Sequence, residues 1–244
     1  MCFNYSINKD PDYLQDRFDA EFDDPDQFER LYHVSAFNSP SLPVINNKSP
    51  DKIKFFEWGL IPFRVKNRDQ AEDIRTKTIN ARAETLFEKP SFREPIRKRR
   101  CLVIMDGFFE WREVRGCNYP HYIKMKYDSA FAVAGIWDAW DDKKADEARN
   151  TYSIITTEAN PLLEKIHNKK KRMPAIIRRK DEKKWISKDL SQDEIGSMLE
   201  SYPDKELEAY PIKRMITKDV DENVPELLEP YEYDELKFEQ KRLF

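Results

Sequence analysis

The chain has 244 residues, of which 39% are hydrophobic and 36% charged, with a net charge of −3, three cysteines and five glycines. That length can bury a sizeable core as one large domain or two small ones, while five glycines fall well below the usual ~7% and argue against Gly-rich phosphate loops. No run of ~18 apolar residues offers a membrane span, no basic stretch precedes an apolar one as in a signal peptide, and Cys2, Cys101 and Cys117 lack the spacing of a disulfide framework or zinc site, so a reducing cytosol is expected.

In chain order, Tyr13, Leu14, Phe18, Phe22, Phe28 and Leu31 recur at loosely helical spacing and predict a helix over 10–32, broken near Pro25. The Ser-, Asn- and Pro-rich stretch from Val34 to Pro50 reads as extended loop. IKFFEWGLIP (53–62) has strand composition and ends at Pro62. Polar residues 64–79 lead into INARAETLFEKP, an extended piece that passes into short helical or loop segments. Strands are predicted at CLVIMDGFFEWREV (101–114), HYIKMKY (121–127), FAVAGIWDAW (131–140) and TYSIITTEA (151–159). The helix PLLEKIHNK, the short strand MPAIIRR (173–179) and the helices KDEKKWIS and SQDEIGSMLES follow, the last opening with Ser191 and Glu194 at capping-box spacing. No repeat or flexible linker divides the chain. The expected fold is therefore a single α+β domain around a mostly antiparallel, curved or barrel-like β-sheet flanked by helices.

Charge is segregated along the chain. Residues 1–30 hold 3 basic and 9 acidic side chains, 64–126 hold 16 and 9, 168–184 hold 9 and 2, and 186–244 hold 8 and 16. Two basic segments between acidic ends can form an anion-binding face, although mixing of these charges in space is the commoner outcome.

Four stretches carry chemistry. The chain opens MCFNYS, and loss of Met1 would leave Cys2 with an amine and a thiol on adjacent carbons. Such an aminothiol condenses with an aldehyde, the amine forming a Schiff base and the thiol closing a five-membered thiazolidine. A second-position Cys is more often an inert, small buried hydrophobe. In GFFEWR, period-2 alternation puts Phe108 and Glu110 on one face and Phe109 and Trp111 on the other. A carboxylate among aromatics is either a buried ion pair, with Arg82 as partner, or a general acid/base with a raised pKa. Asn80 and Arg82 of INARAET point the same way in an extended segment, so an amide and a guanidinium converge, or serve only turn chemistry and surface charge. His167 ends a predicted helix beside Lys169, Lys170, Lys171 and Arg172, whose charge attracts a polyanion and lowers an imidazole pKa.

Taken in order, MC, WGLIP, INARAET, GFFEW and TTEAN–IH–RMP resemble the SRAP family (SOS-response-associated peptidase, abasic-site processing proteins) over roughly residues 1–220. The resemblance implies one SRAP domain over 1–220 and a peripheral acidic tail over 221–244. It implies a protein of the DNA-damage (SOS) response that binds single-stranded DNA and traps abasic sites as a covalent crosslink, with peptidase-like self-processing and lyase activity. By motif, Cys2 is the nucleophile, Asn80 positions the amine or opened sugar, Glu110 assists Met1 removal and proton transfer, and His167 serves sugar ring opening. Arg82, Arg172, Lys169, Lys170 and Lys171 are implied phosphate contacts, and Trp58, Phe63 and Phe37 are the aromatics offered for base stacking. No cofactor, metal or membrane is implied, and a cytoplasmic monomer that joins the nucleoid on damaged DNA is expected. The family usually begins Met-Cys-Gly-Arg where this chain has Met-Cys-Phe-Asn, its Asn-Val-Ala-Pro loop is here HVSAFNSPSLPVI (33–45), and extra lysines separate IH from RMP. Two other readings stand beside it: a thiol peptidase acting on other proteins, and a non-catalytic nucleic-acid-binding module.

Overall fold

The computed structural model describes residues 2–142, 147–214 and 223–240. Its strands are β1 (Asn4–Ile7), β2 (Glu21–Phe22), β3 (Leu31–Ser35), β4 (Ser41–Asn46), β5 (Ser49–Trp58), β6 (Asn80–Arg82) and β7 (Arg100–Met105). The chain continues through β8 (Gly107–Val114), β9 (Cys117–Met125), β10 (Phe131–Asp142), β11 (Glu147–Glu158), β12 (Arg172–Pro174), β13 (Ile176–Ile177) and β14 (Leu207–Pro211). Helices α1 (Pro11–Phe18), α2 (Arg68–Lys77), α3 (Pro95–Lys98), α4 (Pro161–Ile166), α5 (Glu182–Trp185), α6 (Gln192–Met198) and α7 (Asp234–Gln240) surround them.

Five strands close a ring. β10, β7, β4 and β5 pair antiparallel in that order, β5 meets β11 in parallel through Thr151–Glu57 and Tyr152–Trp58, and β11 returns to β10. The apolar run of β10 is buried along Phe131–Asp138 because the ring encloses one of its faces and neighbouring elements cover the other. A second antiparallel sheet has the order β14–β9–β8–β1–β3 and carries the N-terminus. The architecture is thus a single α+β domain with a barrel-like, mostly antiparallel sheet.

Where β7 becomes β8 the chain turns from one sheet into the other, so the predicted strand over 101–114 is two strands joined at Asp106. That corner is fixed chemically. The buried Asp106 carboxylate accepts the Ser6 hydroxyl and the Asn8 and Lys9 N–H groups, the last at 3.1 Å. Gly107 follows because the Tyr122 ring lies where a side chain would stand: a Cβ there would fall 2.2 Å from it. This anchoring sets β1 beside β8, with Tyr5 opposite Phe108 and Ser6 opposite Gly107.

The structure corrects several local expectations. The helix predicted over 10–32 is α1 alone, which stops where Asp19 turns left-handed at φ 52°. Phe22 then runs in β2 parallel to β5, and Phe28 packs on it with ring centroids 5.0 Å apart. Aromatic spacing there mimicked a helical face. The predicted loop over 34–50 contains the hairpin of β4 and β5, turned by the Asn46 side chain accepting the Lys48 and Ser49 N–H groups at 2.8 and 3.0 Å. Polar residues 68–77 form α2 because Asn67 caps it through the Gln70 N–H. The capping box of Ser191 and Glu194 is present at the start of α6.

Residues 223–240 lie against the second sheet. Leu228 packs with Phe109, Tyr122 and Ile212, and Leu236 is buried with Val114 and Tyr119. Asn223 exchanges hydrogen bonds with the start of β3 and the residue before it, its Oδ1 accepting the Tyr32 N–H at 2.7 Å and its Nδ2 donating to the Arg30 carbonyl at 2.6 Å. The tail therefore backs the face of β8 that carries Phe109 and Trp111. Glu110 points the other way.

Candidate functional site

β1 brings Cys2 to the edge of β8, and burial there is complete: Cys2 has no exposed surface. Its Sγ lies 3.5 Å from the Asn4 carbonyl. Burial, reinforced by the Glu110 carboxylate, pushes the thiol well above its ordinary range, so sulfur is held as the neutral thiol.

Asn80 reaches Cys2 from the opposite side. β6 runs parallel to β11, with Asn80 beside Ile154, and alternation buries Ala81 while directing Asn80 and Arg82 outward together. The Asn80 Nδ2 donates to the Cys2 carbonyl at 2.9 Å. A carbonyl only accepts, which fixes the amide orientation and leaves Oδ1 as an acceptor. That oxygen is buried without a hydrogen-bond partner among the described residues.

Glu110 is 3% exposed, faces His121 across the β8–β9 pair, and is pushed up to about 8 by burial. His167 follows α4, whose start is capped by Asn160, and its Nδ1 donates to the Arg172 carbonyl at 2.9 Å. The same Nδ1 is 3.5 Å from Glu110 Oε1. Because the carbonyl takes the Nδ1 proton, the neutral ring carries its lone pair on Nε2. Burial holds this imidazole down at about 4. At neutral pH the pair is therefore a protonated carboxyl beside a neutral imidazole, an acid and a base in one site, the base being Nε2 and not the Nδ1 that faces the carboxyl. Arg82 is not the buried partner of Glu110: it is exposed on β6.

The basic residues divide into free and committed. Arg172 is 9% exposed and grips Glu84 with both terminal nitrogens, Nη2 also donating to the Thr156 carbonyl at 2.6 Å. Its guanidinium braces β12 against β11, which leaves little of it for a phosphate. Lys169 pairs with Glu113, and Lys171 lies 3.8 Å from Glu164. Lys170 and Arg82 are exposed, with no ion pair among the described residues.

The aromatics sort clearly. Trp58 is fully buried, donates Nε1–H to the Ile79 carbonyl at 3.0 Å and stacks on Tyr152, so it has no face for a base. The expectation that Trp58 stacks on DNA gives way to a core role, because β5 turns it into the ring. Phe37 is 68% and Phe63 54% exposed. Sequence reasoning missed the stack of Phe37 on Phe3, with centroids 5.2 Å apart, which puts an open ring one residue from Cys2. It also missed Asp106, whose only signal was the Asp-Gly that interrupts an apolar run.

Among the described residues no cluster of His, Cys, Asp and Glu could hold a metal, and no helix is long and apolar enough to cross a membrane. The family model for SOS response associated peptidase (SRAP) matches residues 1–219. The abasic site processing protein YoqW of Bacillus subtilis is 36% identical over 238 residues, covering 95% of this chain and all of its own. The abasic site processing protein HMCES of Rattus norvegicus is 30% identical over 85% of this chain and 67% of its own. A crystal structure of a Bacteroides thetaiotaomicron protein superposes with a TM-score of 0.89 at 40% identity, covering 94% of this chain and 100% of that one. With its fold and nearly its whole length matched, this chain belongs to the SOS response associated peptidase (SRAP) family of abasic site processing proteins.

Proposed function

We propose that this protein traps abasic sites in single-stranded DNA as a thiazolidine crosslink to Cys2, after removing its own Met1. The observation that carries the reading is the convergence at Cys2 of an amide at 2.9 Å and an acid–base pair 3.5 Å apart. The names of the relatives supply the substrate, an abasic site in DNA.

An abasic deoxyribose is mostly a closed hemiacetal. For ring opening the C1′ hydroxyl proton passes to His167 Nε2 while Glu110 protonates O4′, and the C1′–O4′ bond breaks to give the aldehyde. The Cys2 amine, held by Asn80 through its Oδ1, adds to C1′. The His167 imidazolium protonates the alkoxide and the Glu110 carboxylate takes the surplus proton of the nitrogen. The carbinolamine then loses one water as Glu110 passes that proton to the leaving hydroxyl and recovers one from the iminium nitrogen. The thiol then adds to the imine carbon and its proton goes to nitrogen, closing the ring. One water is lost overall and no oxidant or reductant is consumed. A buried, neutral thiol suits this order: the amine attacks first and sulfur completes the ring. Met1 removal uses the ionised fraction of the same carboxyl: the carboxylate takes a proton from water attacking the Met1 carbonyl and gives it to the leaving Cys2 nitrogen as the Met1–Cys2 peptide breaks.

Affinity comes from Arg82 and Lys170 on phosphates and from Phe37, Phe3 and Phe63 on bases, without sequence readout. The protein acts as a monomer in the cytoplasm, on damaged DNA of the nucleoid.

The test separates amine from thiol. Wild type should give an adduct with an abasic oligonucleotide that survives SDS and heat without borohydride. Cys2→Ser retains the amine and should need borohydride to trap its Schiff base. Equal, borohydride-independent adducts from both proteins would remove the thiol from the chemistry.

A further inference from the structure

β1 accompanies β8 only at Gly107 and Phe108. Farther along β8, Asn168 brackets one peptide of the strand: its Oδ1 accepts the Glu113 N–H at 3.1 Å and its Nδ2 donates to the Glu113 carbonyl at 2.7 Å. A side-chain amide presents the same donor and acceptor as a backbone peptide, so Asn168 acts as a one-residue strand partner. The neighbouring Lys169 adds an ion pair to the Glu113 carboxylate.

Asn168 directly follows His167, and Glu113 lies three residues beyond Glu110 on the same strand. Two consecutive side chains at the end of α4 thus reach two points of β8, His167 at Glu110 and Asn168 at Glu113. The segment is held from behind as well. Lys171 adopts a left-handed φ of 48° and its N–H donates to the His167 carbonyl at 2.8 Å, while its carbonyl accepts the Ala159 N–H at 3.0 Å. The extra lysines between IH and RMP would otherwise lengthen the path from His167 to β12; the bracket fixes its start and the left-handed turn its end.

We propose that Asn168 is a positioning residue, which holds the imidazole of His167 in register with the Glu110 carboxyl by bracketing the Glu113 peptide. This rests on the function proposed above. Without the bracket, His167 turns away from β8 and water reaches Glu110. Burial is what raises that carboxyl to about 8, so its titration moves toward the ordinary carboxylate range.

The experiment follows the rate of SDS-stable adduct formation with an abasic single-stranded oligonucleotide from about pH 5.5 to about pH 9.5. Wild type, Asn168→Ala and Asn168→Asp are compared, each with its thermal melt. Asn168→Ala should slow the reaction about tenfold at neutral pH, as a small misplacement of catalytic groups does, and shift the alkaline limb to lower pH. Asn168→Asp keeps an acceptor for the Glu113 N–H but sets an oxygen against its carbonyl, and should shift the limb in the same direction. Wild-type rates and limbs in both variants overturn the proposal. So does a slower rate with an unmoved limb that follows a lowered melting temperature, which marks a purely structural residue. If wild type forms no adduct, the proposed function itself fails; if wild type reacts and the variants match it, only the role of Asn168 fails.

Discussion

The Asn80 side-chain amide hydrogen-bonds to the Cys2 carbonyl at 2.9 Å across 78 positions of sequence, tying β6, which pairs with β11 of the ring, to the N-terminal sheet at Cys2. Asn80→Ala removes that tie and the buried Oδ1 acceptor together. Adduct formation should slow by about tenfold to a hundredfold, from lost positioning. One exposed-to-half-buried hydrogen bond is worth only about 1 kcal/mol of stability, so the melting temperature should fall by about 2–4 °C. Gel time courses and a thermal melt check both.

Glu110→Gln preserves shape and hydrogen bonding but cannot exchange a proton. The purified variant should retain Met1, where wild type has lost it. Intact-protein mass spectrometry reads the difference of one methionine directly, and a processed N-terminus in Glu110→Gln would exclude the carboxyl from self-processing.

Stability should be greatest near neutral pH. Glu110, raised to about 8, favours the folded state when protonated, so its contribution is full below the unfolded value of about 4.3 and is lost progressively as pH rises to about 8. His33, His121 and His167 are each held down at about 4 by burial, and their contribution is present above the unfolded value near 6.5 and lost as pH falls toward 4. Asp106 and Asp138, raised by burial, oppose the histidines over the acid range. Urea titrations should show His121→Gln losing less stability than wild type between about pH 6.5 and about pH 4.5, since one unfavourable protonation is gone.

Two aromatics should separate stability from binding. Trp58→Ala should cost about 3–5 kcal/mol of stability, the usual cost of emptying a core aromatic site. Phe37→Ala should leave the melt almost unchanged and weaken single-stranded DNA binding by about 1–3 kcal/mol, the value of one base stack. Fluorescence anisotropy with a Cys2→Ala background isolates reversible binding from the crosslink.

Much of this was legible in the residues. Period-2 alternation placed Glu110 and Phe108 on one face of β8, and the i, i+2 spacing placed Asn80 with Arg82. Both follow from strand geometry, which needs no tertiary information. What failed depended on long-range contacts. A Trp in such a stretch is more often core than a stacking platform, and which of the two Trp58 is becomes fixed only once β11 is known to run beside β5. Arg172 looks like a phosphate ligand until Glu84, 88 positions earlier, is brought against it. The strand break at Asp106 was hidden because both halves are apolar, and only the Ser6, Asn8 and Lys9 donors explain why the chain turns there. Asn168 carried no signal beyond its place next to His167.

The central claim is that the amine and thiol of Cys2 together form the reactive group. Its most direct measurement incubates the untagged protein, wild type or Cys2→Ala, with a single-stranded oligonucleotide bearing one abasic site, followed by denaturing electrophoresis and intact mass. Wild type should yield a heat- and SDS-stable adduct whose mass equals protein without Met1 plus oligonucleotide minus one water, and Cys2→Ala should yield none. A stable adduct of the same mass shift from Cys2→Ala would contradict the account.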